Sequence, residues 1–386
     1  MDFALTPEQE MIVEAARAFV EKELMPHEDE VERTGEVRPE LVREIRRKAI
    51  AAGFYAANMP EELGGAGLDH VSLTLLEREL GRTGFALQYA VARPSNILRA
   101  CNAEQTERYL KPTIAGERVE CLAMTEPDAG SDLRGMKTRA VRQGDHYVVN
   151  GTKHFISYAD VADYIVLFAA TGEEETARGV RKKITSFLVD KDTAGLEVRR
   201  GSIAVSHRGF HHCTLTFADA RVPAANVLGE EHKGFDVANT WLGATRLTVA
   251  AQCIGRAQRA LAKSLEWAAQ RKQFGQSIGK FQGTSFKLAD MATELEAAEL
   301  LVLRAAWKTD RGTALDQDYA MAKLYATEML ARVTDHAVQI FGGMGLMEEV
   351  GIEKLWRDAR VERIWDGTSE IQRHIVSRAL LRPHEN

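Results

Sequence analysis

Apolar residues recur every third or fourth position from the start of the chain. Ile12, Val13, Ala16, Phe19, Val20 and Leu24 form one stripe, preceded by Thr6 as an N-cap, Pro7 at the first helical position and Gln9 where a capping box needs it. Helical spacing continues to about residue 120, with breaks at Gly53, at Gly64-Gly65-Ala66-Gly67 and near Pro112. The period then changes. The runs at 164–168, 185–189 and 214–217 favour strands, and Gly144-Asp145 and Asn150-Gly151 suit hairpin turns. The polar, charged stretch 171–183 reads as an exposed loop. After Gly234 the helical period returns, as in Leu288, Met291, Leu295, Ala298, Leu301 and Ala305, and such long stripes suit a four-helix bundle whose outer faces other subunits cover. The pattern therefore predicts an α+β protein: an N-terminal helical domain (1–120), a middle β-barrel or sandwich domain (121–233) and a C-terminal helical bundle domain (234–386).

Composition narrows the class without changing the outline. The 386 residues exceed one ordinary core, which agrees with two or three sub-domains, and 45% apolar with 27% charged residues is a globular balance. No apolar run approaches the roughly 20 residues of a membrane span, and Met1-Asp2-Phe3-Ala4-Leu5 lacks a basic region with an apolar core. A soluble, cytoplasmic protein with no membrane partner is the expectation. A net charge of -6 gives no general attraction to nucleic acid. Cys101, Cys121, Cys213 and Cys253 lie far apart with no Cys-x-x-Cys, as reduced core residues would. The adjacent His211 and His212 could suggest a metal, but they read as structural residues, and no metal is expected.

Two strings carry more information. The first runs from Ala123 through Met124, Thr125, Glu126, Pro127, Asp128, Ala129, Gly130, Ser131 and Asp132 to Gly135, and the second from Gln339 through Ile340, Phe341, Gly342, Gly343 and Met344 to Gly345. Alone, the first could be a surface turn or a loop whose N–H groups and hydroxyls hold a ring edge or phosphate. Together, about 210 residues apart and in this order, they resemble the two signatures of the acyl-CoA dehydrogenase family, and the helix–sheet–helix outline extends the resemblance over the whole chain.

That resemblance implies FAD, with Leu122, Met124, Thr125, Gly130 and Ser131 along the flavin and Ser131 also touching the CoA portion. Phe155, Ile156 and Ser157 match the segment that covers the flavin, Phe155 standing where relatives usually have Trp. Arg271, Gln273, Phe274 and Gln282 match the segment reaching the FAD of a neighbouring subunit, hence a homotetramer; a solvated arginine is the alternative reading of Arg271. Gln339, Gly342 and Gly343 match the adenosine end, and Thr368 and Glu370 further FAD contacts. Substrate contacts implied are Ser131, Arg181, Arg246 and Gly367, although Arg181-Lys182-Lys183 also reads as a solvated charge run. The implied partners are an acyl-CoA and an electron-transferring flavoprotein.

The implied reaction is α,β-dehydrogenation of an acyl-CoA, and its base would be the carboxylate preceding Gly367-Thr368. Most relatives have Glu there. This chain has Asp366, shorter by about 1.5 Å, and an error of about 1 Å can cost on the order of 100-fold in rate. Asp366 could thus be the base with a closer backbone or an unusual acyl group, a polar lining of a different site, or structural. Trp365 and Trp241 favour a short, branched or cyclic acyl group. The alternative is an offshoot that keeps FAD but performs another reaction, such as desulfination, or only binds.

Overall fold

The computed structural model describes residues 4–91, 94–176 and 179–384. The first helix, Pro7–Phe19, begins as its sequence dictates: Thr6 accepts from Gln9 N and Gln9 reaches back to Thr6 N. Helices Pro39–Ala51 and His70–Leu80 follow. Near Pro112 the chain does not break but stays helical from Ala103 to Ile114, widening to a π-turn over Thr106–Leu110. Proline offers no N–H to the preceding turn, and Arg108 O accepts instead from Arg118 Nη1 at 3.2 Å.

The middle domain is one curled sheet of β1 (Glu120–Ala123), β2 (Arg139–Gln143), β3 (His146–Ser157), β4 (Tyr164–Thr176), β5 (Gly179–Asp190), β6 (Leu196–Arg200), β7 (His212–Pro223) and β8 (Val227–Leu228). They pair in the order β6-β7-β3-β2-β4-β5-β8, with β1 parallel to β4. Strand β4 is apolar without alternation because both its faces are buried. Ile165, Leu167 and Ala169 enter the core of the sheet domain, while Tyr164, Val166, Phe168 and Ala170 join the core built by the N-terminal helices.

The stretch 171–183 is not a loop. It extends β4 and β5 into a hairpin, pairing Glu173 with Lys182 and Glu174 with Arg181, and residues 177 and 178 at its tip lie outside the described residues. Opposite charges facing across an antiparallel pair stabilise strands that composition alone assigns to solvent.

The C-terminal domain packs Gly234–Gln270, Gln282–Asp310 and Asp316–Phe341 around an alanine-rich core, with Glu353–Glu362 and Ser369–Leu381 against them. It grips the N-terminal domain at a close helix crossing. A Cβ on Gly255 would lie 1.8 Å from Arg78 O, and one on Gly81 would lie 2.4 Å from Gln252 O. Only glycine permits that approach. Among the described residues no helix is long and apolar enough to cross a membrane.

Candidate active site

The loop between Glu353–Glu362 and Ser369–Leu381 carries Asp366, whose φ is +52°, followed by Gly367 at +91°. Aspartate enters this left-handed region more readily than most side chains. A Cβ at Gly367 would meet Gln372 Nε2 at 2.5 Å. Thr368 then caps the last helix, accepting from Ile371 N at 3.2 Å, and Glu370 lies in its first turn, where negative charge is favoured.

The carbonyls of this loop point inward onto two donors. Lys323, fully buried on the helix Asp316–Phe341, donates to Glu362 O (2.7 Å), Trp365 O (2.9 Å) and Gly367 O (2.8 Å). Gln372 Nε2 donates to Gly367 O at 2.9 Å and Asp366 O at 3.3 Å. Beneath them the buried Glu362 carboxylate accepts from Arg256 Nη1 (2.5 Å) and Trp365 Nε1 (2.7 Å) and meets His207 Nε2 at 3.2 Å. The His207 ring stacks on Trp365 with centroids 5.0 Å apart. These side chains leave the indole one orientation.

No hydrogen bond from a described residue reaches the Asp366 carboxylate oxygens. Burial raises its pKa, Lys323 and Arg246 pull against that, and Glu362 adds to it, the net being a rise from 3.8 to about 6. Such a carboxyl is mostly ionised at neutral pH and still a far better proton acceptor than an ordinary aspartate. Arg246 is buried to 9% exposure with its Nε unpartnered among the described residues, and burial lowers its pKa. It offers a donor to whatever enters beside Asp366.

The first signature string is held by a second buried ammonium. Lys153 on β3 donates to Met124 O (2.9 Å) and to Glu126 Oε1 (2.8 Å). Glu126 also accepts from the main-chain N–H of Lys137 and Thr138, and His154 N donates to Thr125 O at 2.9 Å. Met124 and Thr125 are thereby fixed against the strand bearing Phe155 and Ser157, while Leu122 pairs with Val166 on β4. Phe155 has φ +56° and a ring 59% exposed, a strained and uncovered position that packing within this chain does not explain. The Ile156 side chain is buried in the sheet-domain core, because alternation along β3 turns it away from its exposed neighbour, so it is the main chain of Ile156 that a ligand could meet. Ser131 and Gly130 are exposed, and added Cβ atoms at Gly130 and Gly343 would meet nothing within 4 Å. Glycine at these positions is not demanded by the chain itself, as it would be if a flat or phosphorylated group outside the chain lay against them.

Two cavities gather most of the remaining candidates. One of about 430 Å³ is lined by Gln273, Phe274, Phe281, Lys287 and Gln339, so it joins the second signature to the segment after Arg271. Phe274 is 93% exposed with φ +50°; Arg271, Gln282, Gly342 and Gly343 are exposed. Another of about 300 Å³ is lined by Arg134, Arg181, Lys182, Lys183 and Lys233, with Glu174 and Asp236. Five cations against two carboxylates suit a phosphate-bearing ligand. Neither cavity includes a residue of the Asp366 loop. His211 sits 3.1 Å from Asp160, and among the described residues no group of three or more His, Cys, Asp or Glu could hold a metal.

Sequence reasoning overlooked Lys323, Glu362, Arg256, His207 and Lys153. The available signal was a charge on a core-facing position: Lys323 shares its buried face with Ala320, Ala326 and Thr327, and Lys153 lies among Tyr147, Val149 and Ile156.

A helical N-terminal domain, a curled sheet and a C-terminal helical domain that carries a strained carboxylate loop make up the architecture, and comparison with known proteins gives it a family. Residues 6–117, 121–220 and 232–381 match the N-terminal, middle and C-terminal domain models of acyl-CoA dehydrogenases. The chain is 39% identical to a probable acyl-CoA dehydrogenase of Bacillus subtilis over 99% of its own length and 100% of that protein. It superposes on butyryl-CoA dehydrogenase from Megasphaera elsdenii with a TM-score of 0.90 at 36% identity, covering 99% of this chain and 100% of that one. An FAD complex of PigA aligns with a TM-score of 0.90 at 29% identity, covering 98% and 99%. The chain belongs to the acyl-CoA dehydrogenase family of oxidoreductases.

Proposed function

We propose that this protein binds FAD and removes two hydrogens from a compact acyl-CoA thioester, with Asp366 as the α-proton base. The observation that carries the reading is the Asp366 carboxylate: without a hydrogen bond among the described residues, raised toward neutrality by burial, and set beside an Arg246 Nε that is likewise unpartnered among them. Asp366 takes the proton from the α-carbon while a hydride leaves the β-carbon, giving the α,β-unsaturated thioester. Bound FAD supplies the hydride acceptor. Arg246 and the carboxylate neighbours hold charge in place while the proton moves, and Trp365, immobilised by Glu362 and His207, narrows the space beside the acyl group.

The groups present suit the cofactor. The open glycine at 130 and the exposed Phe155 leave room for a flat ring system beside the loop and strand that carry Leu122, Met124, Thr125, Ser131 and Ser157, while the open Gly343 suits the adenosine end and Thr368 and Glu370 suit further FAD contacts. The basic cavity with Arg181 suits the CoA phosphates. Gln273, Phe274 and Gln339 line a cavity that excludes the Asp366 loop, and Arg271 and Gln282 are exposed in the same segment, which supports their serving a second subunit's FAD in a homotetramer. The butyryl-CoA dehydrogenase likeness supports a short acyl group, and Trp365 keeps branched and cyclic groups within the reading. An electron-transferring flavoprotein is the acceptor implied by the family.

Anaerobic addition of short, branched and cyclic acyl-CoAs to the flavin-loaded protein tests this. One of them should bleach the flavin, and Asp366→Asn should abolish the bleaching. Failure of every acyl-CoA to bleach it overturns the dehydrogenase reading; bleaching by the Asn variant removes Asp366 as the base.

A further inference from the structure

We propose that Lys323 is the positioning residue for the base: its ammonium gathers the carbonyls of Glu362, Trp365 and Gly367 and so fixes the left-handed backbone that presents the Asp366 carboxylate. This inference rests on Asp366 being the base.

A fully buried ammonium is costly unless its charge is met. Here all three hydrogen bonds of Lys323 go to main-chain oxygens of a single short loop, at 2.7, 2.9 and 2.8 Å, and none to a carboxylate. Those oxygens flank Asp366 on both sides. Gln372 takes the Asp366 carbonyl itself and shares that of Gly367, so every carbonyl from Trp365 to Gly367 is drawn toward the protein interior. The peptide planes on either side of Asp366 are thereby fixed, and a residue at φ +52° is held where a free chain would seldom remain. For an acid one methylene shorter than Glu, placement by the backbone replaces reach by the side chain.

The same ammonium has an electrostatic effect. Three ionisable groups act on the Asp366 carboxyl: Lys323 from the helix Asp316–Phe341, Arg246 from the helix Gly234–Gln270 and Glu362 from the helix preceding the loop. Removing the Lys323 charge leaves Arg246 alone against burial and Glu362, so the carboxyl becomes harder to ionise. Lys323 thus both aims the base and keeps it charged at neutral pH.

The test is α-proton exchange, which reads the base separately from hydride transfer. Flavin-loaded protein is mixed anaerobically with a short acyl-CoA in D2O, and deuterium entering the α-position is followed by mass spectrometry against pH. Lys323→Gln, which keeps two donors but no charge, and Lys323→Met, which keeps neither, should slow exchange at neutral pH by about 100-fold, the scale of a 1 Å misplacement. Their acid limbs should move to higher pH, while flavin content and acyl-CoA dissociation constant change less than about threefold, since uniform binding is not the interaction removed. Wild-type exchange rate and pH limb in either folded, flavin-bearing variant overturn the proposal. So does failure of both variants to fold with flavin, which would assign Lys323 to stability. Asp366→Asn in the same assay separates the two levels: retained exchange there refutes the base, whereas lost exchange with unaffected Lys323 variants refutes only the positioning role.

Discussion

Neutralising Asp366 should make the protein more stable while disabling it. In the folded chain its carboxyl is raised from 3.8 to about 6, burial being the leading cause. Each pKa unit is worth about 1.4 kcal/mol. The folded state therefore pays about 3 kcal/mol, at most, for carrying this group ionised above pH 6, an amount reduced by the solvent that still reaches it. The sign follows from the direction. Well below pH 4 the carboxyl is protonated in both states and contributes nothing unfavourable; as pH rises from about 4 to about 6 the unfolded chain ionises while the folded state resists, so stability falls across that window and levels off above it. Asp366→Asn removes the ionisation while keeping a residue tolerant of φ +52°. Stabilities from urea unfolding of substrate-free, flavin-loaded wild type and variant should coincide at about pH 3 and separate by about 2–3 kcal/mol in favour of Asn at pH 7.5. A difference independent of pH, or one favouring Asp at pH 7.5, would refute the electrostatic account of this site.

Three further outcomes follow from geometry already given. Gly255→Ala sets a Cβ 1.8 Å from Arg78 O; separating the two helices should cost at least about 1–3 kcal/mol, read as a lowered urea midpoint, and an unchanged midpoint would show that the crossing relaxes freely. Lys153→Met strands the buried Glu126 carboxylate, a loss of about 3–5 kcal/mol, and flavin absorbance after gel filtration should fall with it; full flavin retention would detach this ion pair from the first signature loop. Asp366→Glu adds reach of about 1.5 Å at a backbone angle that disfavours Glu by about 1 kcal/mol. Its α-proton exchange should therefore drop below wild type, and faster exchange would mean that reach, not backbone placement, limits this enzyme.

The outline of the fold was legible because long helical stripes and short β-favouring runs are local signals. The capping box at Thr6 and Gln9 formed as read. The hairpin at 171–183 was not legible, since its stabilising pairs, Glu173 with Lys182 and Glu174 with Arg181, appear only once the strands face each other. The same holds at the site. Asp366, Arg246 and Gly367 stand out in the sequence through motif and departure from motif. Lys323, on another helix 43 positions before Asp366, acts through backbone oxygens that no side-chain pattern encodes. The burial of the Ile156 side chain was not legible either, because a matching segment says nothing about which of three successive residues a strand turns inward.

Strand β4 has a mechanical consequence beyond packing. Its odd and even residues belong to different cores, and the core of the N-terminal helices includes Tyr164, Val166 and Phe168 of this strand together with Ile184 and Leu188 of β5. The first 120 residues expressed alone would lack one wall of their interior. The boundary at residue 120 is thus a seam in the sequence but not a joint in the molecule, and cutting there should release no fragment able to fold by itself.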